Sequence, residues 1–372
     1  MLVYEGDGLG DMYQKLLRDL TDNGRKVSPR GHACLEFREP VTLVYNKPGY
    51  CWMRIPERRF NPFFMMAEVL WILSGDGNVD SISYFNSNMR SFADEGQDDF
   101  HAAYGLRMRK WPWYTPEGVA EIDQIKETVR KLQEDPFSRQ AVISLWDPVR
   151  DNVNKSKDHA CNQSIFYHLH DNMLEQTVTM RSNDLVWGTP HNAIQFTHLH
   201  ALVAGLLGAS MGKFTYVINN LHYYLDLYKP TLANLLDNAF TGQPVHAEKC
   251  DLFTTFDETL VKPSWRAVRG LQHNDRANWQ DFFEYNFSYG DEVEAPSNEM
   301  LSQYFRALCL FCYVKSYEGK FDGAFNPSVS YECLAKVIFQ TDEPIRSMIL
   351  DFWKDSKNPL IQGIVAAPCL AR

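Results

Sequence analysis

Within the stretch TMRSNDLVWGTPHNAIQF, residues 179–196, a cation, a hydroxyl, a carboxylate and an amide stand close together. They are Arg181, Ser182, Asp184 and, eight positions further on, Asn192. A guanidinium is a planar fork that grips phosphate or carboxylate through two parallel hydrogen bonds. A side-chain amide offers both a donor and an acceptor, whereas an ionised carboxylate only accepts. The set fits a site for an anionic, hydrogen-bonding small molecule, or else an ordinary loop beside a helix start. Two further pieces stand near it in the pattern. Cys161 lies twenty positions before Arg181, and the H-x-Y pair His222 and Tyr224 begins thirty positions after Asn192. A thiolate is a strong nucleophile for covalent catalysis, and it needs a positive neighbourhood to form near neutral pH. Taken alone, Cys161 reads as a core cysteine and the H-x-Y pair as a polar strand end.

The elements that must position these groups are legible from periodicity. CNQSIFYHLH and MLEQTVTMRS alternate like strands, with the turn residues Asp171 and Asn172 between them. Pro190 and Asn192 then open AIQFTHLHALVAGLLGASMG, an apolar helix stopped by glycine. FTYVINNLHYY reads as another strand, Ala141 to Leu145 as a short one, and 24–45 as a turn followed by β-rich sequence. Residues 118–134 read as an amphipathic helix. FFMMAEVLWILS, Phe63 to Ser74, is apolar nearly all round and predicts a buried helix. Its one charge, Glu68, lies on a wet edge or else is paired and used, because an unpaired buried carboxylate is costly. Strands and helices interleave up to about residue 225, and the rest is mainly helical with a loop-rich stretch over 241–300. The class is α/β or α+β, with a catalytic domain over 1–240 and a helical extension over 241–372.

Composition narrows the function. With 45% hydrophobic and 13% aromatic residues in 372, the chain has the material for a large folded core. The net charge of -10 argues against nucleic acid as a partner, since phosphate neutralisation needs a broad basic face. No run long enough to span a membrane and no signal peptide is read. The eight cysteines have neither disulfide density nor zinc-ligand spacing, so no metal is expected, and a reducing cytoplasm is. Cys309 and Cys312 form a CxxC inside an apolar helical run and read as core residues.

The order Cys161, R-S-N-D from Arg181, G-T-P-H-N to Asn192, then H-Y-Y from His222 resembles the thymidylate synthase superfamily. Upstream the resemblance continues through SPRG at Arg30, AEVLWILSGDGN at Glu68, Trp71, Gly75 and Asn78, AYGLRMRKW at Tyr104, and DPFSRQ at Arg139. It covers about residues 12–230 and implies a large twisted mixed sheet covered by helices. It implies that Cys161 adds to C6 of a pyrimidine nucleoside monophosphate. Arg30, Arg181 and Ser182 would hold the 5′-phosphate, joined by Arg139 from the second subunit of a homodimer. Asn192 would read the base, favouring uracil, since cytosine-using relatives usually have Asp there. His222 and Tyr224 would hold the sugar hydroxyl. Glu68 and Tyr104 would serve the chemistry at the base, while Asp184, Trp71 and Asn78 would hold the folate. The one-carbon donor implied is 5,10-methylenetetrahydrofolate, with no metal.

Departures bear on the product. Gln140 replaces the second arginine of the family's S-R-R segment, and Asn162 replaces the histidine that follows the nucleophile in many synthases. The Trp of the family's I-W pair is missing, and an ungapped reading puts Met89 and Arg90 there, with a polar wall expected. The family's hydrophobic closing tail is not recognisable. A dry site lets the folate give hydride to the exocyclic methylene, making a methyl group; a wetter one lets water add. The chain therefore looks more like the pyrimidine hydroxymethylases of the superfamily, found in some bacteriophages and antibiotic pathways. A divergent dTMP-forming synthase and a non-catalytic nucleotide-binding paralogue are the alternatives.

Overall fold

The computed structural model describes residues 1–55, 58, 60–153, 155–227, 229–241, 246–247, 258–272, 299–316, 331–339, 341 and 343–367. Much of the loop-rich 241–300 stretch and the final residues after 367 lie outside them. In chain order the elements begin with β1 (Leu2–Gly6), α1 (Leu9–Asn23), β2 (Arg25–Val27), β3 (Cys34–Glu36), β4 (Val41–Tyr45) and β5 (Met53–Arg54). Then come α2 (Pro62–Leu73), α3 (Val79–Ser83), α4 (Tyr104–Arg109), β6 (Trp111–Thr115), β7 (Gly118–Ile122), α5 (Gln124–Glu134), β8 (Val142–Ser144) and α6 (Pro148–Val153). The site-bearing half follows: β9 (Asn162–His170), β10 (Met173–Met180), β11 (Asn183–Asp184), α7 (Gly188–Leu207), β12 (Ser210–Ile218) and β13 (Leu221–Tyr224). After α8 (Lys229–Thr241) and β14 (His246–Ala247), the described C-terminal helices are α9 (Glu258–Gln272), α10 (Glu299–Ser316), α11 (Tyr331–Phe339), α12 (Glu343–Trp353) and α13 (Pro359–Val365).

A mixed six-stranded sheet runs β1-β4-β12-β10-β9-β8, and a smaller one runs β11-β13-β3-β2. The β9–β10 hairpin forms because Asp171 and Asn172 both take positive φ (48° and 60°), the conformation a two-residue turn between twisted strands requires. Alternation fixes the register. Gln176, Val178, Phe214, Tyr216 and Ile165 face inward and are buried beneath the helices. The opposite face carries Thr177, Thr179, Thr215, Val217, Val44 and Phe166, which are only partly covered.

Two expectations change. Residues 118–122 are a strand, not the start of a helix, because Gly118 at φ 140° closes a hairpin onto Trp111–Thr115 and Asp123 caps α5 only after it. FTYVINNLHYY is two strands: the chain leaves the large sheet at Asn219–Asn220, and β13 joins the small one.

α2 is buried along its whole length. α7 covers it from the sheet side, and described helices of the extension cover it elsewhere. The Phe63 ring lies 4.9 Å from both Phe311 and Trp353. Tyr304 of α10 accepts from Trp52 Nε1 (3.2 Å) and bonds His198 Nε2 of α7 (2.8 Å). Cys309 and Cys312 are fully buried on α10, as core cysteines should be. No helix among the described residues is long and apolar enough to cross a membrane.

Candidate active site

Cys161 sits where β9 begins, facing the end of β10, and Arg181 is folded around it. Arg181 donates from Nε to the Ala160 carbonyl (2.9 Å) and from Nη2 to the His159 carbonyl (3.1 Å). Nη2 also stands 3.7 Å from Cys161 Sγ, and the guanidinium lies over the Trp146 ring. The Tyr104 hydroxyl, at the head of α4, accepts from the amides of Cys161 (3.2 Å) and Asn162 (3.3 Å). Its ring packs on Phe196 of α7. The backbone around Cys161 is thereby fixed from two sides. Burial pushes the Cys161 thiol up from its ordinary value, with Arg181 and, more weakly, Arg30 pulling it back down. Tyr104 is also raised by burial, so it serves as a neutral hydroxyl.

At the start of α7, Asn192 donates to Asn183 Oδ1 (3.1 Å), and its carbonyl accepts from Tyr216 (2.9 Å). Asp184 Oδ1 accepts from the amides of Val186 (2.8 Å) and Trp187 (2.9 Å), which turns the chain into the helix and orients the carboxylate. β11 pairs with β13, setting Asp184 opposite His222. His222 bonds Asn220 and sets its ring edge-on to Tyr224. Burial pulls its imidazole down, with Asp184 acting the other way. Arg30 occupies a one-turn 3-10 segment with φ 53°, uncommon for a residue with a Cβ, and reaches the Tyr224 hydroxyl at 3.4 Å. Ser182 is half-buried beside Arg181. Cys161, Tyr104 and Arg181 thus form one contact network, and Arg30, Tyr224, His222 and Asp184 a second along β13.

Other expected residues lie elsewhere or have other work. Arg139 is exposed on the turn between α5 and β8, apart from the residues around Cys161. Asn78 caps α3 through Ser81 N (2.9 Å) and donates to the Asp98 carbonyl (3.2 Å), so both ends of its amide are engaged. Trp71 is buried against Phe100, its Nε1 without a hydrogen bond. The turn between them is locked by the extension, because Asp76 accepts from Trp265 Nε1 (2.6 Å) and Arg269 (3.2 Å) of α9. The expected polar wall does not come from Arg90, whose side chain is 63% exposed and paired with Asp80; Met89 packs against the core.

Glu68 is neither free nor on a wet edge. Its Oε2 lies 3.1 Å from His191 Nδ1, with the two side chains 12% and 15% exposed. Asn162, which follows Cys161, is fully buried beside the Tyr104 hydroxyl.

Sequence reasoning missed one cluster entirely. His101 Nε2 and His159 Nδ1 lie 3.5 and 3.8 Å from the same oxygen of Asp151, donors that could face a metal ion. Both carboxylate oxygens are already held by the Arg107 fork, whose fixed charge opposes a cation, and we assign no metal to it. These residues are far apart in the chain and have no ligand spacing that could have signalled them. A cavity of about 560 Å³ adjoins the cluster, lined by Gln97, Phe100, His101, Arg150, Lys155 and Ser156; its lining includes none of the residues around Cys161.

The thymidylate synthase family model matches residues 11–253. A deoxyuridylate hydroxymethyltransferase of Bacillus phage SP01 is 32% identical over 264 residues, 70% of this chain and 68% of that protein. A deoxyuridylate hydroxymethyltransferase of Pseudomonas phage M6 is 37% identical over 230 residues, 61% of this chain and 63% of the relative. The matched span contains Cys161, Arg181, Asn192 and the H-x-Y strand, and the chain belongs to the thymidylate synthase family.

Proposed function

We propose that this protein is a folate-dependent hydroxymethyltransferase that converts dUMP to its 5-hydroxymethyl derivative. Cys161 adds to C6 of the pyrimidine, making C5 nucleophilic. Arg181 and Arg30 bind the 5′-phosphate with Ser182, and Arg181 stays against Sγ to stabilise the thiolate as it forms. Asn192 reads uracil by donating to O4 and accepting from N3–H. His222 and Tyr224 hold the sugar hydroxyl. The co-substrate 5,10-methylenetetrahydrofolate supplies the one-carbon electrophile. Asp184 fits a pterin, because its carboxylate is half-buried, fixed by two backbone amides, and of the type that accepts from ring N–H groups. Glu68 and Tyr104 serve proton transfer at the base.

The observation that carries the hydroxymethyl outcome is Asn162. A fully buried amide beside Cys161 and Tyr104 adds polar groups to that part of the site, and polar groups are what hold water in a protein interior. A wet site favours hydration over hydride transfer. The names of the two phage relatives support the same reading and favour uracil as the base. The partly covered Thr/Val/Phe sheet face supports a back-to-back homodimer, in which the exposed Arg139 reaches the partner's phosphate.

The test of substrate is a parallel assay of dUMP, dCMP, UMP and CMP with mass analysis of products. dUMP is expected to be preferred. Asn192→Asp is expected to shift preference towards dCMP by about 100-fold or more, since a lost and a gained polar complement each weigh about 1–3 kcal/mol. A wild type that already prefers dCMP would contradict the assignment of Asn192.

A further inference from the structure

His222 is joined to a surface cation by a chain of polar side chains. β13 lies between β3 and β11, and its register sets His222 opposite Glu36 on one side and Asp184 on the other. Directly paired residues share a face of a sheet. Glu36 is buried, and both of its oxygens are engaged. Oε1 accepts from Arg25 Nε (2.6 Å), and Oε2 accepts from Asn220 Nδ2 (2.6 Å). Asn220 Oδ1 in turn lies 2.9 Å from His222 Nδ1.

Chemistry fixes the direction of every bond in this chain. Burial raises the Glu36 carboxyl, but hydrogen bonds from Asn220 and Arg25 outweigh it and hold the group below its ordinary value. Glu36 is therefore ionised and only accepts. Asn220 must turn its NH2 towards Glu36 and its carbonyl towards His222. A carbonyl cannot donate, so His222 Nδ1 carries the ring hydrogen. Burial pulls this imidazole down, against Asp184, and favours the neutral ring. In a neutral ring with Nδ1–H, Nε2 is an acceptor. A hydroxyl can donate to such a nitrogen; an ether or phosphate-ester oxygen cannot.

We propose that Asn220 and Glu36 are positioning residues that set the His222 tautomer, so that the site selects nucleotides whose sugar hydroxyl donates to Nε2. This rests on the reading in which His222 holds the sugar hydroxyl, and dUMP has one, at C3′. Both residues act through His222 rather than on the nucleotide.

The test compares kcat/KM for dUMP and for 2′,3′-dideoxy-UMP, which lacks that hydroxyl, in wild type and in Asn220→Leu. The wild type is expected to prefer dUMP by about tenfold, the scale of one net hydrogen bond. Asn220→Leu should lose about that factor for dUMP alone and leave the dideoxy nucleotide within about twofold of wild type. A merely structural role would lower both substrates together. That result, or an unchanged ratio, would overturn the proposal. Nitrogen NMR of the His222 ring in the wild-type protein reads the tautomer without any substitution. The Nδ1–H form is expected, and the Nε2–H form would overturn the proposal even if Asn220→Leu fails to fold. A wild type that uses both nucleotides equally, with His222 in the Nδ1–H form, would refute the reading of His222 as the sugar contact, and the proposal with it.

Discussion

Cys161→Ala is expected to lose turnover by at least about 10⁴-fold, the scale seen when a covalent nucleophile is removed, while binding dUMP within a few-fold of wild type. In the proposed site the binding contacts belong to other groups, Arg30, Arg181, Ser182, Asn192, His222 and Tyr224. Truncation of a half-buried thiol removes one polar atom, whose contacts are a 3.7 Å approach of Arg181 and a 3.9 Å approach to the His159 carbonyl. Equilibrium dialysis with dUMP and a coupled product assay measure the two quantities on one preparation. Residual turnover within about tenfold of wild type would exclude covalent catalysis by Cys161.

A mixture of Arg139→Ala and Cys161→Ala proteins is expected to be active where each parent is nearly silent. In a homodimer with a shared phosphate site, a hybrid dimer carries one site with both intact residues. With full exchange, half the dimers are hybrids and each has one working site, so about a quarter of wild-type activity returns. Arg139 is exposed and outside its own chain's Cys161 network, as such a donated residue must be. Subunit exchange is checked by native mass spectrometry of differently tagged partners. Exchange without recovery would place the whole phosphate site in one chain.

How much of this was legible in the sequence depended on the kind of signal. Hydrophobic continuity over Phe63 to Leu73 marked a helix that is buried along its length, and Asp171–Asn172 marked a turn that takes the required positive φ. The hairpin over 111–122 was hidden because GVAEI continues without a break into the amphipathic α5, and only Gly118 and the Asp123 cap divide them. The break at Asn219–Asn220 was hidden because both strands share β-rich composition and differ in the sheet they join. At the candidate site, Cys161, Tyr104 and Arg181 were readable through the family resemblance of their order, and the structure brings them into contact. The engagement of Asn78 was not readable, because it depends on local caps and on Asp76 meeting Trp265 from a helix nearly 190 positions away. Arg90 stands where an ungapped reading puts the missing Trp but pairs with Asp80, since a surface guanidinium is better solvated there than in a site wall. His191 was visible as an unusual neighbour of Asn192; its partner was not, because α2 and α7 meet only in the fold.

The central claim is that water, not folate hydride, completes the product. The direct measurement is to incubate the protein with dUMP and 5,10-methylenetetrahydrofolate, follow dihydrofolate absorbance, and weigh the nucleotide at the end. The account predicts a product heavier than dUMP by one formaldehyde unit, tetrahydrofolate released, and no accumulation of dihydrofolate. A product heavier by a methylene alone, with one dihydrofolate formed per nucleotide, would contradict it and make this chain a divergent thymidylate synthase.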